Sequence, residues 1–347
     1  MKIRTLASVC AGACALSTLL LTGCPSDPVG PMDTADMTQA DMTAAPPDFS
    51  GAAAPVKVTG FSQPVSAFWD STSNAWYVSN VGNPNLTDPK TFKNNMSAFI
   101  SKVPANLMNP NHSWYPNTAT PRLNTPFGLR GQGGKLYVGN VDKLWAIDIN
   151  NPTGVAPVQS GMVAAAALAG LNGFPAFLID VALDAAGNIF VVDATGGRLL
   201  KWTTPFVANS QPAILTTQLS LFGASGLYID GNLAVMAEAG INQVIMQAGG
   251  ISTCNLDGSN LKRLLTSPLM SLAYQGIEKD TMANKYLIAS PADKAVYYID
   301  PTTGARAVVR NVAADGAGTA TDIGWDPAGR MLAVPDSGAG VVLFYKL

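Results

Sequence analysis

The sequence is poor in charge and nearly devoid of histidine. Charged residues make up 13% of its 347 residues, and His112 is the single histidine. The 21 lysines and arginines against 23 aspartates and glutamates provide no basic field to collect phosphates, which argues against nucleic-acid binding. One histidine excludes metal sites built from several imidazoles and leaves a single candidate for any Ser-His-Asp arrangement.

The sequence is rich in apolar residues and in the residues that form turns. Apolar residues account for 48% of the chain, with 33 glycines and 24 prolines distributed along it. A disordered chain has far fewer apolar residues, so this composition predicts a globular protein of one or two domains with many turns.

The first 23 residues have the pattern of a secretory signal. A short basic segment, Met1–Arg4, precedes an uncharged stretch rich in alanine and leucine that ends at Leu21-Thr-Gly-Cys24. This tetrapeptide resembles the bacterial lipobox, in which the cysteine is lipidated through its sulfur and becomes the new N-terminus. We therefore predict a signal peptide over 1–23 and a membrane anchor at Cys24. An ordinary signal peptide with a chance cysteine and an uncleaved membrane helix are the alternatives.

Two further expectations follow from the lipidated N-terminus. Residue 25 is proline and not the aspartate that retains enteric lipoproteins at the inner membrane, so an outer-membrane location in a bacterial envelope is favoured. Cys10 and Cys14 leave with the signal, so Cys254 is the only free thiol of the mature chain. It lies in an alternating apolar segment, which predicts a buried strand cysteine.

Residues 24–55 are expected to form a flexible acidic linker. The segment 25–55 has five aspartates, no lysine or arginine, and no helical or strand periodicity. Such a segment holds a folded body away from a membrane. The remaining residues, 56–347, are nearly neutral and are predicted to form one domain.

A phrase repeats six times along residues 56–347. It combines a small or acidic residue, apolar residues, an aspartate four positions later, a turn and a second apolar strand. The copies are Ser66–Asp70, a weaker Pro126–Arg130 that has Gln132 in place of the aspartate, Asp180–Asp184, Gly226–Asp230, Gly276–Asp280 and Asp322–Asp326. Measured from the small or acidic residue, which is Gly128 in the second copy, successive copies are 62, 52, 46, 50 and 46 residues apart, the length of a four-stranded propeller blade.

The repeats predict an all-β fold, a six-bladed β-propeller. The sixth copy ends one strand short, and Val56–Thr59 supplies an apolar segment for the missing outer strand. Pairing the two would close the ring and cover two sheet edges. The aspartate of each copy is expected to bond the backbone of the turn that follows it.

Three segments interrupt the repeats. The polar stretches 83–97 and 105–122 surround the first blade, and the second carries Trp114 and Tyr115, which we expect to be exposed contacts. The stretch 160–177 predicts a short helix between blades.

The repeated phrases resemble those of the gluconolactonase, senescence-marker-protein and LRE-like superfamily of six-bladed propellers, and are partly shared with NHL-type propellers. The resemblance covers nearly all of 56–347. It implies a divalent cation, often calcium, at the centre of the ring and hydrolysis of lactones. Carried over residue by residue, the family's metal ligands fall on Val65, Ile179, Ser225 and Gln275. Valine and isoleucine cannot coordinate a cation, and serine and glutamine bring no charge, so we expect the metal site to be lost and no cofactor to be bound.

Two functions from different classes remain open. The first is a binding or scaffold module, for an unknown small molecule or envelope protein, whose contacts line the mouth of the ring: Phe127, Asp180, Ser225, Tyr274, Gln275 and Asp322. The alternative is a metal-dependent lactonase or related hydrolase that uses Asp180 and Asp322. Carboxylates after the second strands, Asp142, Asp193, Glu238 and Asp336, would complete such a site, although we expect them to be solvated loop residues. A purely structural envelope protein that binds others through its inserted loops is not separable from the first function.

Overall fold

The structure, a computed structural model, describes residues 54–82, 97–116, 122–152, 156–160, 176–206, 210–217, 221, 223–239, 249–266 and 274–347. The predicted signal peptide, the lipidation site Cys24 and nearly all of the linker lie outside these residues. So do most of the insertion 83–97 and most of the segment 160–177 for which a helix is expected. No helix of the described residues is long and apolar enough to cross a membrane.

The described residues form 24 strands in six four-stranded antiparallel sheets. The first strand is β1 (Val56–Thr59). Blade 1 contains β2 (Pro64–Asp70), β3 (Ala75–Asn80), β4 (Phe99–Pro104) and β5 (Asn111–Tyr115); blade 2 contains β6 (Pro126–Gln132), β7 (Lys135–Asn140), β8 (Lys143–Asp148) and β9 (Ala156–Ser160). Blade 3 contains β10 (Leu178–Leu183), β11 (Ile189–Asp193), β12 (Arg198–Trp202) and β13 (Ala213–Thr217); blade 4 contains β14 (Ala224–Asp230), β15 (Leu233–Glu238), β16 (Gly250–Asn255) and β17 (Lys262–Thr266). Blade 5 contains β18 (Ile277–Asp280), β19 (Lys285–Ser290), β20 (Ala295–Ile299) and β21 (Arg306–Asn311); blade 6 contains β22 (Gly324–Asp326), β23 (Met331–Asp336), β24 (Val341–Lys346) and the early strand β1.

The six sheets close into a ring. The inner strands β2, β6, β10, β14, β18 and β22 contact one another in that order, and β22 contacts β2. Strand β1 completes blade 6 by pairing with β24, with Val56 opposite Phe344 and Thr59 opposite Val341. These contacts confirm the predicted six-bladed propeller and its closure by an N-terminal outer strand.

The hydrophobic core is divided among the interfaces between blades. Six clusters of buried apolar side chains occupy the six interfaces, because each strand presents alternate residues to opposite faces of its sheet. At the interface that closes the ring, Trp76 of blade 1 packs on Phe344 of blade 6 with their ring centroids 5.4 Å apart. Cys254 is buried in the cluster between blades 3 and 4, as predicted.

The turn aspartates have the local role expected of them. Asp70 accepts hydrogen bonds from the N–H groups of Thr72 and Ser73 at 3.3 and 3.0 Å, and Asp280 and Asp326 bond their own turns in the same way. Asn74 occupies the left-handed conformation at the end of the first of these turns, which asparagine tolerates. Asp230 departs from the pattern, because its carboxylate reaches Lys279 of blade 5 and joins two blades.

The second predicted insertion, 105–122, is in part a regular strand of blade 1. Within 105–122 the chain forms β5, the outer strand of blade 1. Tyr115 is 1% exposed and Trp114 packs edge-on against Tyr77 at 4.7 Å, so the expectation that both are exposed contacts is wrong for Tyr115. The cause is the strand itself, which turns alternate side chains toward the sheet.

Candidate functional site

The inner strands bring four charged side chains to the axis of the ring. We call Arg130, Asp180, Glu278 and Asp322 the hub. Each belongs to the start of a repeat, in blades 2, 3, 5 and 6, and each has less than a tenth of its surface exposed. Charges are this deeply buried only where partners compensate them, so the partners of each decide what the hub can do.

An ion pair crosses the axis. Arg130 and Glu278 occupy the same position of the repeat in blades that face each other across the six-membered ring, and the guanidinium lies 2.7 Å from the carboxylate. Arg130 also donates hydrogen bonds to the carbonyl oxygens of Leu129 and Ile277, at 3.1 and 3.4 Å. The two side chains therefore connect opposite blades and fill the centre of the ring.

Asp180 is held by backbone amides. Its two oxygens accept hydrogen bonds from Val181 of its own strand, at 2.8 Å, and from Leu227 of blade 4, at 2.7 Å. Gly128 of blade 2 lies against the other side, where a Cβ atom would be 2.0 Å from Oδ1. Only glycine fits there, so this carboxylate is fixed in place by blades 2, 3 and 4.

Asp322 is buried without such partners. The hydroxyl of Ser66 and the N–H of Ile323 lie close enough to lower its pKa, but neither of its oxygens makes a hydrogen bond of normal geometry within the described protein, and neither does the Ser66 hydroxyl. Its backbone N–H donates to the carbonyl oxygen of Val65 at 3.0 Å, which fixes its position at the junction of blades 6 and 1. A buried carboxylate without donors is expensive, and it usually marks a place where another group binds.

The hub carboxylates resist ionisation. Burial raises the pKa of Glu278 to about 7, although Arg130 lowers it, and burial raises the pKa of Asp322 to about 6 against the opposing effects of Arg130 and the Ser66 hydroxyl. Burial and the charge of Asp322 raise the pKa of Asp180 well above its ordinary value. One guanidinium thus does not offset the burial of three carboxylates, and the pKa of each is higher than that of an exposed carboxyl.

The mouth above the hub has an apolar half and a polar half. Val65, Phe127 and Ile179 lie in one buried cluster, in which Phe127 packs on Phe177 with their centroids 5.0 Å apart. On the other side, Ser225 donates to the carbonyl oxygen of Tyr274 at 2.8 Å, and Gln275 is next in the chain.

The structure therefore brings some of the predicted site residues together at the axis, but not all of them. It brings Asp180 and Asp322 into one charged cluster and places Phe127, Ser225 and Gln275 at its mouth. Tyr274 is fully buried, and its hydroxyl lies 3.2 Å from the guanidinium of Arg306 on the outer strand of blade 5.

A divalent cation of the type that the family resemblance implies does not fit these residues. The guanidinium of Arg130 already provides a positive charge at the centre, and both oxygens of Asp180 are used by backbone amides. Among the described residues, no three His, Cys, Asp or Glu side chains have the arrangement needed to hold a metal ion. A hard cation requires several converging oxygen donors, which this arrangement does not supply.

Three of the four carboxylates after the second strands, Asp193, Glu238 and Asp336, are buried and are not the solvated residues that we expected, whereas Asp142 is partly exposed. Asp193 and Asp336 are fully buried, and both accept hydrogen bonds from the backbone that enters the inner strand of their own blade. Asp193 is also paired with Arg198, and Glu238 lies 2.6 Å from Arg263. They stabilise the blades individually and form no common site with the hub. Buried N–H groups at the blade entries require acceptors, which explains carboxylates at these positions.

Sequence reasoning missed Arg130 and Glu278. The corresponding residues of the other copies are Phe68, Ala182, Tyr228 and Gly324, so these two are the only charged residues at that position of the repeat. They are also three copies apart. In a ring of six blades, three copies apart means facing each other, and opposite charges at facing positions were the available signal.

Comparison with known proteins supports the fold. The chain matches a solved structure from a nidogen/laminin complex with a TM-score of 0.52 and 14% sequence identity, over 69% of this chain and 82% of that chain. At this identity the likeness shows the fold alone. No protein-family model and no curated protein matches the sequence. The fold and the axis define a six-bladed β-propeller with a buried charged hub.

Proposed function

We propose that this protein is a lipid-anchored propeller of a bacterial envelope that acts as a binding or scaffold module. Its architecture is gluconolactonase-like, and an internal ion network stands in place of that family's metal centre. The observation that carries the proposal is the ion pair between Arg130 and Glu278, which spans the axis where a catalytic cation would be held. A fixed cation of the protein's own binds and orients groups, but it leaves no coordination sites for a substrate.

The geometry favours binding over hydrolysis for a second reason. A general base must be able to reach and accept a proton from water, yet both oxygens of Asp180 accept backbone hydrogen bonds, and Gly128 closes the remaining side. Asp322 has two oxygens without a hydrogen bond of normal geometry, but one carboxylate alone does not provide the metal-bound water that lactone hydrolysis by the family's route requires.

The test of this proposal is the metal content and hydrolytic activity of the purified mature protein. After dialysis we expect no stoichiometric calcium or zinc by elemental analysis, and no hydrolysis of aldonolactones above the buffer rate with calcium or zinc added. The binding proposal fails if one equivalent of metal survives dialysis and lactone hydrolysis is abolished by Asp180→Ala but not by Asp184→Asn, a matched change at the turn of the same strand.

The anchor is tested separately. We expect the wild-type protein to incorporate labelled palmitate and to fractionate with the outer membrane, whereas Cys24→Ala loses the label and leaves the membrane fraction. Cys14→Ala, a matched change within the signal, should behave as wild type. Membrane retention of the unlabelled Cys24→Ala protein would argue against lipidation. Because β1 begins at Val56, the acidic linker would join the propeller at the outer edge of blade 6.

A further inference from the structure

Asp322 has the clearest unmet chemical need in the hub. It is 5% exposed, and neither of its oxygens makes a hydrogen bond of normal geometry, although the Ser66 hydroxyl and the Ile323 N–H lie close by. The other two hub carboxylates are provided for, Glu278 by Arg130 and Asp180 by two backbone N–H groups. A group that occupies this position must donate hydrogen bonds to a carboxylate.

The charge balance of the hub determines whether the group that binds beside Asp322 is a cation or an anion. Three carboxylates share one guanidinium, and this guanidinium is engaged with Glu278 and with two carbonyl oxygens. Burial, and after it the charge of Asp322, raises the pKa of Asp180, so a bound cation would offset the charge of Asp322, whereas a bound anion would be repelled by the same carboxylate. Tyr228, whose pKa is raised by burial and by the charges of Glu278 and Asp230, brings no positive charge to the hub.

The surroundings of Asp322 indicate what the remainder of the ligand, beyond its charged group, must be. Its N–H is bonded to the carbonyl oxygen of Val65, so the carboxylate lies directly beside the apolar half of the mouth. Val65, Phe127, Ile179 and Gln275 are 6–9% exposed and the hub residues Asp322, Arg130 and Glu278 are 5–8% exposed, while Ala67, Leu129 and Val181, two positions further along their strands, have no exposed surface. This residual exposure indicates a narrow passage along the axis, apolar on one side, that ends at an anionic floor.

We propose that this passage binds a primary alkylammonium group, with its N–H donors on the carboxylate of Asp322 and the hydroxyl of Ser66 and its hydrocarbon stem against Val65, Phe127 and Ile179. The inference rests on the proposed binding function and names the ligand class of that same site. The alkylammonium is either a free amine or the side chain of a lysine on a partner protein, since both present the same ammonium and stem.

The first experiment titrates the purified mature protein with n-butylammonium chloride by calorimetry at about pH 7. We expect saturable one-to-one binding that releases protons, because hub carboxylates protonated in the free protein ionise when the cation binds. Tetramethylammonium, which has no N–H donor, and sodium at the same ionic strength should not bind. From methylammonium to butylammonium the affinity should rise about fourfold per methylene, which corresponds to about 0.8 kcal/mol of apolar burial.

Variants separate the two halves of the site. Asp322→Asn should weaken butylammonium binding at least tenfold, and Asp326→Asn, a matched change four residues along the chain where Oδ1 serves only its turn, should not. Ser66→Ala should weaken binding severalfold without altering the fold. Val65→Ala should reduce the dependence of the affinity on stem length. If Asp322→Asn does not fold, Ser66→Ala and Val65→Ala still decide the question.

The outcomes are distinct. Absence of saturable butylammonium binding, equal binding of tetramethylammonium, or unchanged binding by the Ser66 and Asp322 variants would overturn the inference and leave the metal-free binding proposal intact. Stoichiometric calcium displaced by neither amine would instead overturn the proposed function. Binding of Nα-acetyl-lysine methylamide as tightly as butylammonium supports a partner's lysine as the source, and binding of butylammonium alone supports a free amine.

Discussion

Removing one member of a buried ion pair usually destabilises a protein. For Glu278→Gln we expect the opposite trend: the variant should gain stability relative to the wild type as the pH rises. Folding raises the pKa of this carboxyl from 4.5 to about 7, because burial outweighs the attraction of Arg130. A group whose pKa is raised on folding stabilises the folded state while it is protonated, and that contribution is lost as the pH rises through the folded pKa. At about 1.4 kcal/mol per pKa unit, the loss between pH 4.5 and 7 is about 3 kcal/mol.

The assay is the free energy of unfolding in guanidinium chloride, measured for both proteins from about pH 5 to about pH 8. Glutamine resembles the protonated glutamate and does not ionise, so the stability of the wild type relative to Glu278→Gln should fall from about pH 5 to about pH 7 and level off above that pH. Arg130, Asp322 and Tyr228 face the carboxyl in both proteins, so the difference isolates Glu278.

Asp280→Asn is the control of opposite sign. Burial by itself would raise the pKa of Asp280, but hydrogen bonds from Arg330 and Tyr298 lower it overall, so its stabilisation is present above the unfolded pKa and is lost only as the pH falls through the folded pKa. The deficit of this variant should be constant from about pH 5 to about pH 8. A constant deficit for Glu278→Gln as well, or one that grows as the pH rises, would show that Arg130 keeps Glu278 ionised and would refute the reasoning.

Three further predictions concern the ring. Trp76→Ala should cost about 3–5 kcal/mol of unfolding free energy, since the indole is 1% exposed and contacts both Trp69 and Phe344 at the closing interface; a loss similar to that of the half-buried Trp114→Ala would contradict this packing. Deleting 56–59 should lower the unfolding midpoint and produce aggregates in size-exclusion chromatography, because the edge of β24 becomes exposed, and an unchanged monomer would count against the closure. Burial, and secondarily the charge of Asp257, raises the pKa of Cys254 to about 11, so a thiol reagent at neutral pH should modify it only after unfolding; rapid native labelling would disprove its burial.

The blades could be predicted from the sequence because each repeat contains the local features that form a blade. Three local features mark each repeat: the aspartate at the end of the inner strand, the asparagine or glycine of the turn, and the alternation of apolar residues. Such features can be recognised from a short stretch of sequence without knowledge of the tertiary contacts. Closure by Val56–Thr59 was also predictable, since a blade short of one strand implies a donor elsewhere in the chain.

The hub was predictable only in part. Asp180 and Asp322 stand at the first position of the repeat, which the alignment of copies places at the axis. Arg130 and Glu278 stand at a position filled by apolar or small residues in the other copies, and their 2.7 Å contact depends on the diameter of the ring. The burial of Asp193 and Asp336 depended on backbone donors of the blade entries, which a one-dimensional pattern does not display.

The pairing of β1 with β24 imposes an order on folding. Val56–Thr59 precedes every blade in the chain and its partner strand β24 follows the other five sheets, so the ring can close only after the last strand is available. The waiting strand is short, and its exposed Lys57 puts a positive charge on it, a feature that discourages pairing with the same segment of neighbouring nascent chains.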